Sequence, residues 1–471
     1  LVKGKYEFGM IGLGVMGRNL VLNIADHGFA VAGYDKDESK IAALKDAAGE
    51  RKIFGAPSLT EFVGSLKKPR AIMFLVPAGD PVDSVIKELL PHLDADDVII
   101  DGGNSHFKDT DRRHDELERN PVRFLGTGVS GGERGARFGP SIMPGGSKAA
   151  YERVRAIFEK AAAKVNGDTC VTYLGPRSAG HYVKMVHNGI EYALMQLISE
   201  TYDLMKTGLG LDDDRLHEIY SSWNDGELDS FLIQITSDIF EKPDDKSDQR
   251  LIDVILDEAK QKGTGKWTSQ DAMDLQVPVP TIDAAVAMRD MSGYKSERTM
   301  AERGLSGPAS HMNIDKDGFV HDLSNALYFA MIIAYAQGMA LLRKASETYG
   351  YNLNMENIAR IWRGGCIIRS SFLEHIRAAY MKQPDLPNLL LDPGIGKIVV
   401  VRQKAARTVA SRALNAGIPT PALAASLSYF DAYRRSWLPA NLIQAQRDYF
   451  GAHTYERMDR EGVFHTEWEA N

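Results

Sequence analysis

The chain holds only two cysteines in 471 residues, Cys170 and Cys366. They form no CxxC pair and cannot build a disulfide framework, which fits a reducing compartment. No apolar run is long enough to span a membrane. The longest, about Ala326 to Leu342, carries Tyr328, Tyr335 and Gln337 and falls short of the ~20 residues a span needs. It reads as a buried helix in a large helical domain. No charged, apolar, small-residue signal pattern opens the chain, so a cytoplasmic protein is expected. An excess of positive charge is also missing. Lys and Arg number 56 against 63 Asp and Glu, a net charge of −7. That argues against nucleic acid as the main partner and leaves room for a local basic pocket. The whole chain is 44% hydrophobic and 25% charged, the composition of a soluble globular protein with length for two or three domains.

The N-terminal segment Tyr6-Glu-Phe-Gly-Met-Ile predicts a strand. Gly12-Leu13-Gly14-Val15-Met16-Gly17 follows as a tight turn, and Arg18 onward as a helix. A second apolar run, Phe29 to Tyr34, ends at Asp35. Glycines allow the turn and close backbone approach to a pyrophosphate, while the helix N-terminus offers free N–H groups. Strand, GxGxxG, helix and an acid about 20 residues on together predict dinucleotide binding. Further strands are read at Ala71–Val76, Asp97–Asp101 and from Arg123, a doubly wound α/β pattern. Ligands sit at the carboxyl ends of such strands. The loops there are Val76-Pro77-Ala78-Gly79, Asp101-Gly-Gly-Asn104-Ser105 and Gly128-Val-Ser130-Gly131-Gly132-Glu133. A carboxylate at Asp35 suits the ribose 2′-hydroxyl of NAD and repels the 2′-phosphate of NADP. Lys36 beside it could receive that phosphate, so the sequence pulls both ways with a lean to NAD.

Strand patterning stops at about Ser178. The next segment carries Lys184, His187, Asn188 and Glu191 at offsets 0, 3, 4 and 7, with Tyr192 at 8. At about 100° per residue they share one helix face. Val186, Ile190, Leu194, Leu197 and Ile198 fill much of the rest, which predicts burial, and buried polar groups need partners. Lys184 and Glu191 lie about 10.5 Å apart along the axis, far for a direct salt bridge and suited to a small polar ligand between them. A self-satisfied polar seam is the other reading.

Long helical periods continue to about Tyr433. A faint repeat at an offset of 142 pairs Gly208 with Gly350, Leu211 with Leu353, Asp212 with Asn354 and Ile219 with Ile361. Each copy reads as a long apolar helix, a glycine-containing turn, an N-cap and a second helix. Gln261-Lys262-Gly-Thr264-Gly-Lys-Trp267 is a basic glycine-rich turn able to bring Lys262 and Thr264 onto an anion. Arg289 lies on an apolar helix and needs a partner. The stretch from Pro439 to Tyr455 reads as a tail that packs onto something.

Six of these segments together resemble the decarboxylating 6-phosphogluconate dehydrogenases: Gly12 to Gly17, Asp101 to Ser105, Val129 to Gly132, Lys184 to Tyr192, Lys262 to Thr264, and Gln446-Arg447-Asp-Tyr-Phe-Gly-Ala-His453. The resemblance runs nearly end to end. It implies a Rossmann-type domain over residues 1–179, a large all-helical domain with duplicated units over 180–435, and a tail over 436–471 that threads into a second subunit of a homodimer. It implies that 6-phosphogluconate and NAD(P)⁺ become ribulose 5-phosphate, CO₂ and NAD(P)H, a step of the pentose phosphate pathway. Lys184 is then the base on the C3 hydroxyl, later protonated against the new carbonyl. Glu191 protonates C1 of the enediol. The ketone is β to the carboxylate, so the resemblance implies no metal.

The sugar-acid contacts so implied are Asn104, Ser130, Gly131, Gly132, His187 and Asn188. The phosphate would meet Tyr192, Lys262, Thr264 and Arg289, with Arg447 and His453 reaching in from the partner. The cofactor would be held by Gly12 to Gly17, by Asp35, Lys36 and Asp37, by Val76, Pro77 and Ala78, and by Asn104. Two departures stand out. Asp35-Lys36-Asp37 occupies the place where NADP-using members carry Asn-Arg-Thr, and Pro77 stands where a Lys is common. NADP is the family default, and Asp35 argues for NAD or dual use. The alternatives are a non-decarboxylating β-hydroxyacid dehydrogenase and a non-catalytic dinucleotide-binding protein.

Overall fold

The computed structural model describes residues 4–468. Its first part is a seven-stranded sheet: β1 (Phe8–Ile11), β2 (Val31–Tyr34), β3 (Ile53–Gly55), β4 (Ala71–Phe74), β5 (Val98–Asp101), β6 (Arg123–Ser130) and β7 (Ser141–Gly146). The order is β3-β2-β1-β4-β5-β6-β7, with β7 the antiparallel member. Alternate residues feed two cores. Phe8, Met10, Met73 and Ile100 face one side, and Ile11, Ile72, Phe74 and Ile99 the other. Covering helices on both faces explain why these strands read as unbroken apolar runs. The register aligns Ile11 with Tyr34 and Phe74, Phe74 with Asp101, and Asp101 with Gly126. The first four strands of that row therefore end level, and their following loops form one rim.

Two strands of this sheet escaped the sequence reading, as did the two-residue pairings Lys164–Val165 with Asp168–Thr169 and Tyr455–Glu456 with Val463–Phe464. β3 is three residues long. β7 carries Pro144-Gly145-Gly146, which reads as a turn and is accommodated here on the sheet edge. The expected loop from Gly128 begins later than read, because Gly128 to Ser130 continue β6 and pair with β7.

The helix Ala179–Asp203 crosses from this sheet into the second part. Its approach is very close: a Cβ on Gly180 would lie 2.2 Å from the Met143 carbonyl oxygen, and one on Gly128 would lie 2.4 Å from Lys184 Cβ. Those glycines let the helix lie on β6 and β7 and bring Lys184 beside the end of β6. The helix Lys316–Tyr349 runs through the centre of the second core, with 89% of its most apolar stretch buried.

The repeat is visible as two N-caps. Asp212 accepts from Arg215 N–H at 2.9 Å, and Asn354 accepts from Asn357 N–H at 2.9 Å. The paired glycines differ in use. Gly350 has φ +69° and ends its helix left-handed, while Gly208 ends a π turn, where a Cβ would strike Met312. The copies meet through Phe231 N–H to Arg369 O and Ser371 N–H to Asp229 O. Beyond Tyr433 a helix, Ala440–Gly451, leads to a short pairing of Tyr455–Glu456 with Val463–Phe464.

Candidate active site

Three of the four stripe residues are buried, Lys184 at 5% exposed, His187 at 0% and Asn188 at 8%, while the Glu191 side chain is half-buried at 21%. The buried three close into a ring with one residue from the sheet. Lys184 Nζ donates to Ser130 Oγ at 3.1 Å and to Asn188 Oδ1 at 2.7 Å. Ser130 Oγ lies 3.3 Å from His187 Nε2, and His187 Nδ1 lies 3.0 Å from Asn188 Oδ1. One proton assignment satisfies every member. Ser130 donates to His187 Nε2, and His187 Nδ1–H donates to Asn188. His187 is then neutral, which agrees with its depression well below the usual histidine range by burial and by Lys184. Trp362 closes over the His187 ring, with centroids 5.6 Å apart. The seam is thus self-satisfied and at the same time holds a lysine in an unusual state.

Burial drives Lys184 below the ordinary lysine range, against the opposing pull of Glu191. Burial also drives Glu191 above the ordinary carboxylate range, against Lys184 and Arg289. A lysine that gives up its proton easily and a carboxyl that keeps one form an acid–base pair. Glu191 comes no nearer than 3.8 Å to His187 Nδ1. Beyond Glu191 lies Tyr192, with the Arg289 guanidinium 3.4 Å from its ring centroid. This stack is the partner that Arg289 required. Gly263, at φ +96°, starts the helix Thr264–Asp274, so Lys262 and Thr264 stand at a helix N-terminus.

The rim of the sheet holds two adjoining cavities. One, of about 430 Å³, is lined by Gly12, Gly14, Asp35, Lys36, Lys40, Val76, Pro77 and Glu88. The other, of about 740 Å³, runs from Gly14, Val15, Met16 and Gly17 past Val76, Pro77, Ala78 and Asn104 to Lys262 and Trp267. A dinucleotide fits this trough chemically. The helix Val15–Asp26 aims its N-terminus at it, and a Cβ on Gly17 would lie 1.8 Å from the Gly12 carbonyl oxygen, so only glycine permits the turn. Asp35 is fixed by the Leu13 N–H at 2.7 Å and the Asp37 N–H at 3.0 Å. Asp37 caps the next helix through Ser39. Lys36, expected as a possible phosphate ligand, lines the first cavity and forms an exposed pair with Glu88 at 2.7 Å.

Gly131 and Gly132 start the short helix after β6, next to Ser130. Arg447 and His453 are not brought to this row by their own chain. Arg447 bonds Gln444 at 3.1 Å, and His453 packs against Phe450, both within the tail. Sequence reasoning missed His106 and Trp267 as cavity walls. Their rings meet edge-on at 4.9 Å where sheet loops face helical domain.

A dinucleotide trough that reaches Val129, next to the Ser130 that holds Lys184, is the arrangement of a pyridine-nucleotide oxidoreductase. Comparison with known proteins narrows the class. Residues 7–175 match the NAD binding domain of 6-phosphogluconate dehydrogenase, and residues 180–468 match the 6-phosphogluconate dehydrogenase C-terminal domain. The chain belongs to the 6-phosphogluconate dehydrogenase family. It is 53% identical to the NADP(+)-dependent, decarboxylating 6-phosphogluconate dehydrogenase of Bacillus subtilis, over 98% of this chain and 99% of that one. It is 54% identical to the decarboxylating enzyme of Synechococcus elongatus, again over 98% and 99%. The solved Plasmodium falciparum 6-phosphogluconate dehydrogenase superposes with a TM-score of 0.94 at 46% identity, over 98% of this chain and 100% of that one.

Proposed function

We propose that the chain oxidatively decarboxylates 6-phosphogluconate to ribulose 5-phosphate. The observation that carries this reading is the placement of Lys184, held by Ser130 and Asn188, on the same helix face as Glu191. When bound, the nicotinamide supplies the hydride acceptor. Neutral Lys184 takes the C3 hydroxyl proton as the C3 hydride departs, and the resulting ammonium then faces the ketone oxygen. The ketone is β to C1. The C1–C2 bond breaks, CO₂ leaves, and the electron pair forms the enediol that Lys184 protonates on oxygen. Glu191 delivers a proton to the carbon that lost CO₂ while Lys184 takes back the enediol hydroxyl proton, which leaves the ketone of ribulose 5-phosphate. Ser130, His187 and Asn188 hold Lys184, and with Asn104, Gly131 and Gly132 they orient the sugar acid. Tyr192, Lys262, Thr264 and Arg289 receive the phosphate, whose double charge suits fixed cationic donors.

The same reading assigns residues 1–179 to the cofactor, 180–435 to substrate and dimer contacts, and 436–471 to a partner subunit. The exposed apolar side chains Leu442, Ile443 and Phe450 on the tail helix support a second chain covering them. Arg447 and His453 would then complete the neighbour's phosphate site. A cytoplasmic setting belongs to this reading. For the cofactor, NADP is what the NADP(+)-dependent relative supports, and Asp35 argues for NAD or dual use beside it.

Steady-state kinetics on 6-phosphogluconate with each cofactor test the proposal. Reduced cofactor together with ribulose 5-phosphate is expected, and no turnover with either cofactor would refute it.

A further inference from the structure

Two arginine–aspartate pairs are buried at opposite ends of β5. At its start, Arg70 (7% exposed) meets Asp97 (0%) at 2.6 Å. At its end, Arg113 (1%) meets Asp101 (0%) at 3.5 Å. The first pair lies at the N-terminal ends of the central strands, remote from the ligand rim. The second lies directly behind that rim, and its donors go to both loops there.

Arg113 Nη2 donates to the Gly79 carbonyl at 3.0 Å. Its Nε and Nη2 also grip Asp83, in the helix that follows, at 2.7 and 3.2 Å. These bonds hold the turn after β4, which carries Val76, Pro77 and Ala78. On the other side, Nη1 donates to Ser105 Oγ at 3.3 Å. Ser105 Oγ donates to Asp101 Oδ2 at 2.6 Å, and Asp101 Oδ1 accepts the Gly103 N–H at 3.0 Å. These bonds set the turn after β5, which carries Asn104. The turns also touch: a Cβ on Gly103 would lie 3.1 Å from the Val76 carbonyl oxygen. A planar five-donor fork can bridge two loops at once, and a lysine ammonium cannot reproduce that geometry.

We propose that Arg113 is a positioning residue for hydride transfer, locking the Val76–Gly79 and Asp101–Ser105 turns into one unit that sets Asn104 against the cofactor trough. The proposal rests on the dehydrogenase reading above for the reaction it serves. It extends that reading to a residue that lines neither cavity.

The test compares Arg113→Lys, Ser105→Ala and Arg70→Lys in the full-length enzyme. Two readouts are taken: fluorescence titration with NADH and NADPH, and kcat and KM for 6-phosphogluconate. Both arginine variants keep their charge and are expected to lower Tm. Arg113→Lys is expected to weaken reduced-cofactor binding and to lower kcat, each about tenfold, because sub-ångström misplacement of reacting groups is costly. Ser105→Ala, which removes only the linking hydroxyl, should show the same pattern at about threefold, and it serves if Arg113→Lys fails to fold. Arg70→Lys should stay within about twofold of wild type in both readouts, being remote from the site. Cofactor affinity and kcat unchanged in the Arg113 and Ser105 variants would overturn the proposal, as would equal losses in Arg70→Lys. If wild type turns over no 6-phosphogluconate, the reading of the reaction fails, while the cofactor titrations still decide the role of Arg113.

Discussion

Lys184 Nζ stands 2.7 Å from Asn188 Oδ1, one helical turn further along the same buried face. This bond aims the lysine toward the end of β6, where Ser130 is its second partner. The amine is therefore positioned before any substrate arrives, and its burial keeps it ready to lose a proton. Replacing Lys184 by Ala should lower kcat by about 10³-fold, within the usual range for a general acid–base group. Cofactor affinity should remain near normal. Arg at this position should not rescue, because guanidinium does not deprotonate. Stopped-flow detection of NAD(P)H in one turnover checks this; an unchanged burst would remove Lys184 as the base.

The pH profile follows from the two opposed shifts. Activity needs Lys184 neutral, so it rises with pH as this lysine loses its proton, below the ordinary lysine range. Activity also needs Glu191 protonated, so it falls as that carboxyl ionises, above the ordinary carboxylate range. The expected kcat profile is a bell whose limbs belong to the coupled pair. Glu191→Gln cannot ionise. It should lower kcat about 10²-fold and flatten the alkaline limb. A Glu191→Gln profile with both limbs intact would assign the alkaline limb elsewhere.

The Arg289 guanidinium stands 3.4 Å from the Tyr192 ring centroid, and the proposed function assigns it to the substrate's phosphate. Arg289→Lys loses both the stack and the fork. KM for 6-phosphogluconate should rise about 30-fold with kcat little changed, the pattern of lost uniform binding. Activity on unphosphorylated gluconate should not move. Equal losses on both substrates would mean that Arg289 shapes the site without meeting phosphate.

Cofactor preference turns on Asp35, whose Oδ2 holds the Leu13 N–H in the glycine loop. Asp35→Asn keeps an acceptor for that bond and removes the charge. The ratio of kcat/KM for NADP over NAD should rise about tenfold, the equivalent of ~1.4 kcal/mol. Wild-type kinetics already dominated by NADP would contradict this view of Asp35.

The tail makes a prediction about mixed subunits. Lys184→Ala and Arg447→Ala are each expected to be poorly active alone. If tails cross between subunits, a hybrid dimer has one site with both residues intact, and random mixing should restore about a quarter of wild-type activity. No recovery in a verified hybrid would place Arg447 outside the neighbouring site.

Much of the fold is legible because apolar runs such as Ala71–Phe74 are bounded by turn residues. β7 is not, since Pro144 and two glycines erase its strand signature and only pairing with β6 makes it one. In the site, helical spacing alone puts Lys184, His187, Asn188 and Glu191 on one face. Ser130 joins them from a strand 54 residues earlier, which periodicity cannot show. Arg113 was invisible for a different reason. It sits in Asp111-Arg112-Arg113-His114, which reads as a solvated helix face, and nothing local marks Arg113 as the buried arginine and Arg112 as the exposed one.

The central claim is that one buried row both oxidises and decarboxylates. It is tested most directly by measuring CO₂ and NAD(P)H together during turnover of 6-phosphogluconate. One CO₂ per reduced cofactor is predicted. Reduced cofactor formed without CO₂ would contradict the account and return the chain to the non-decarboxylating hydroxy-acid dehydrogenases.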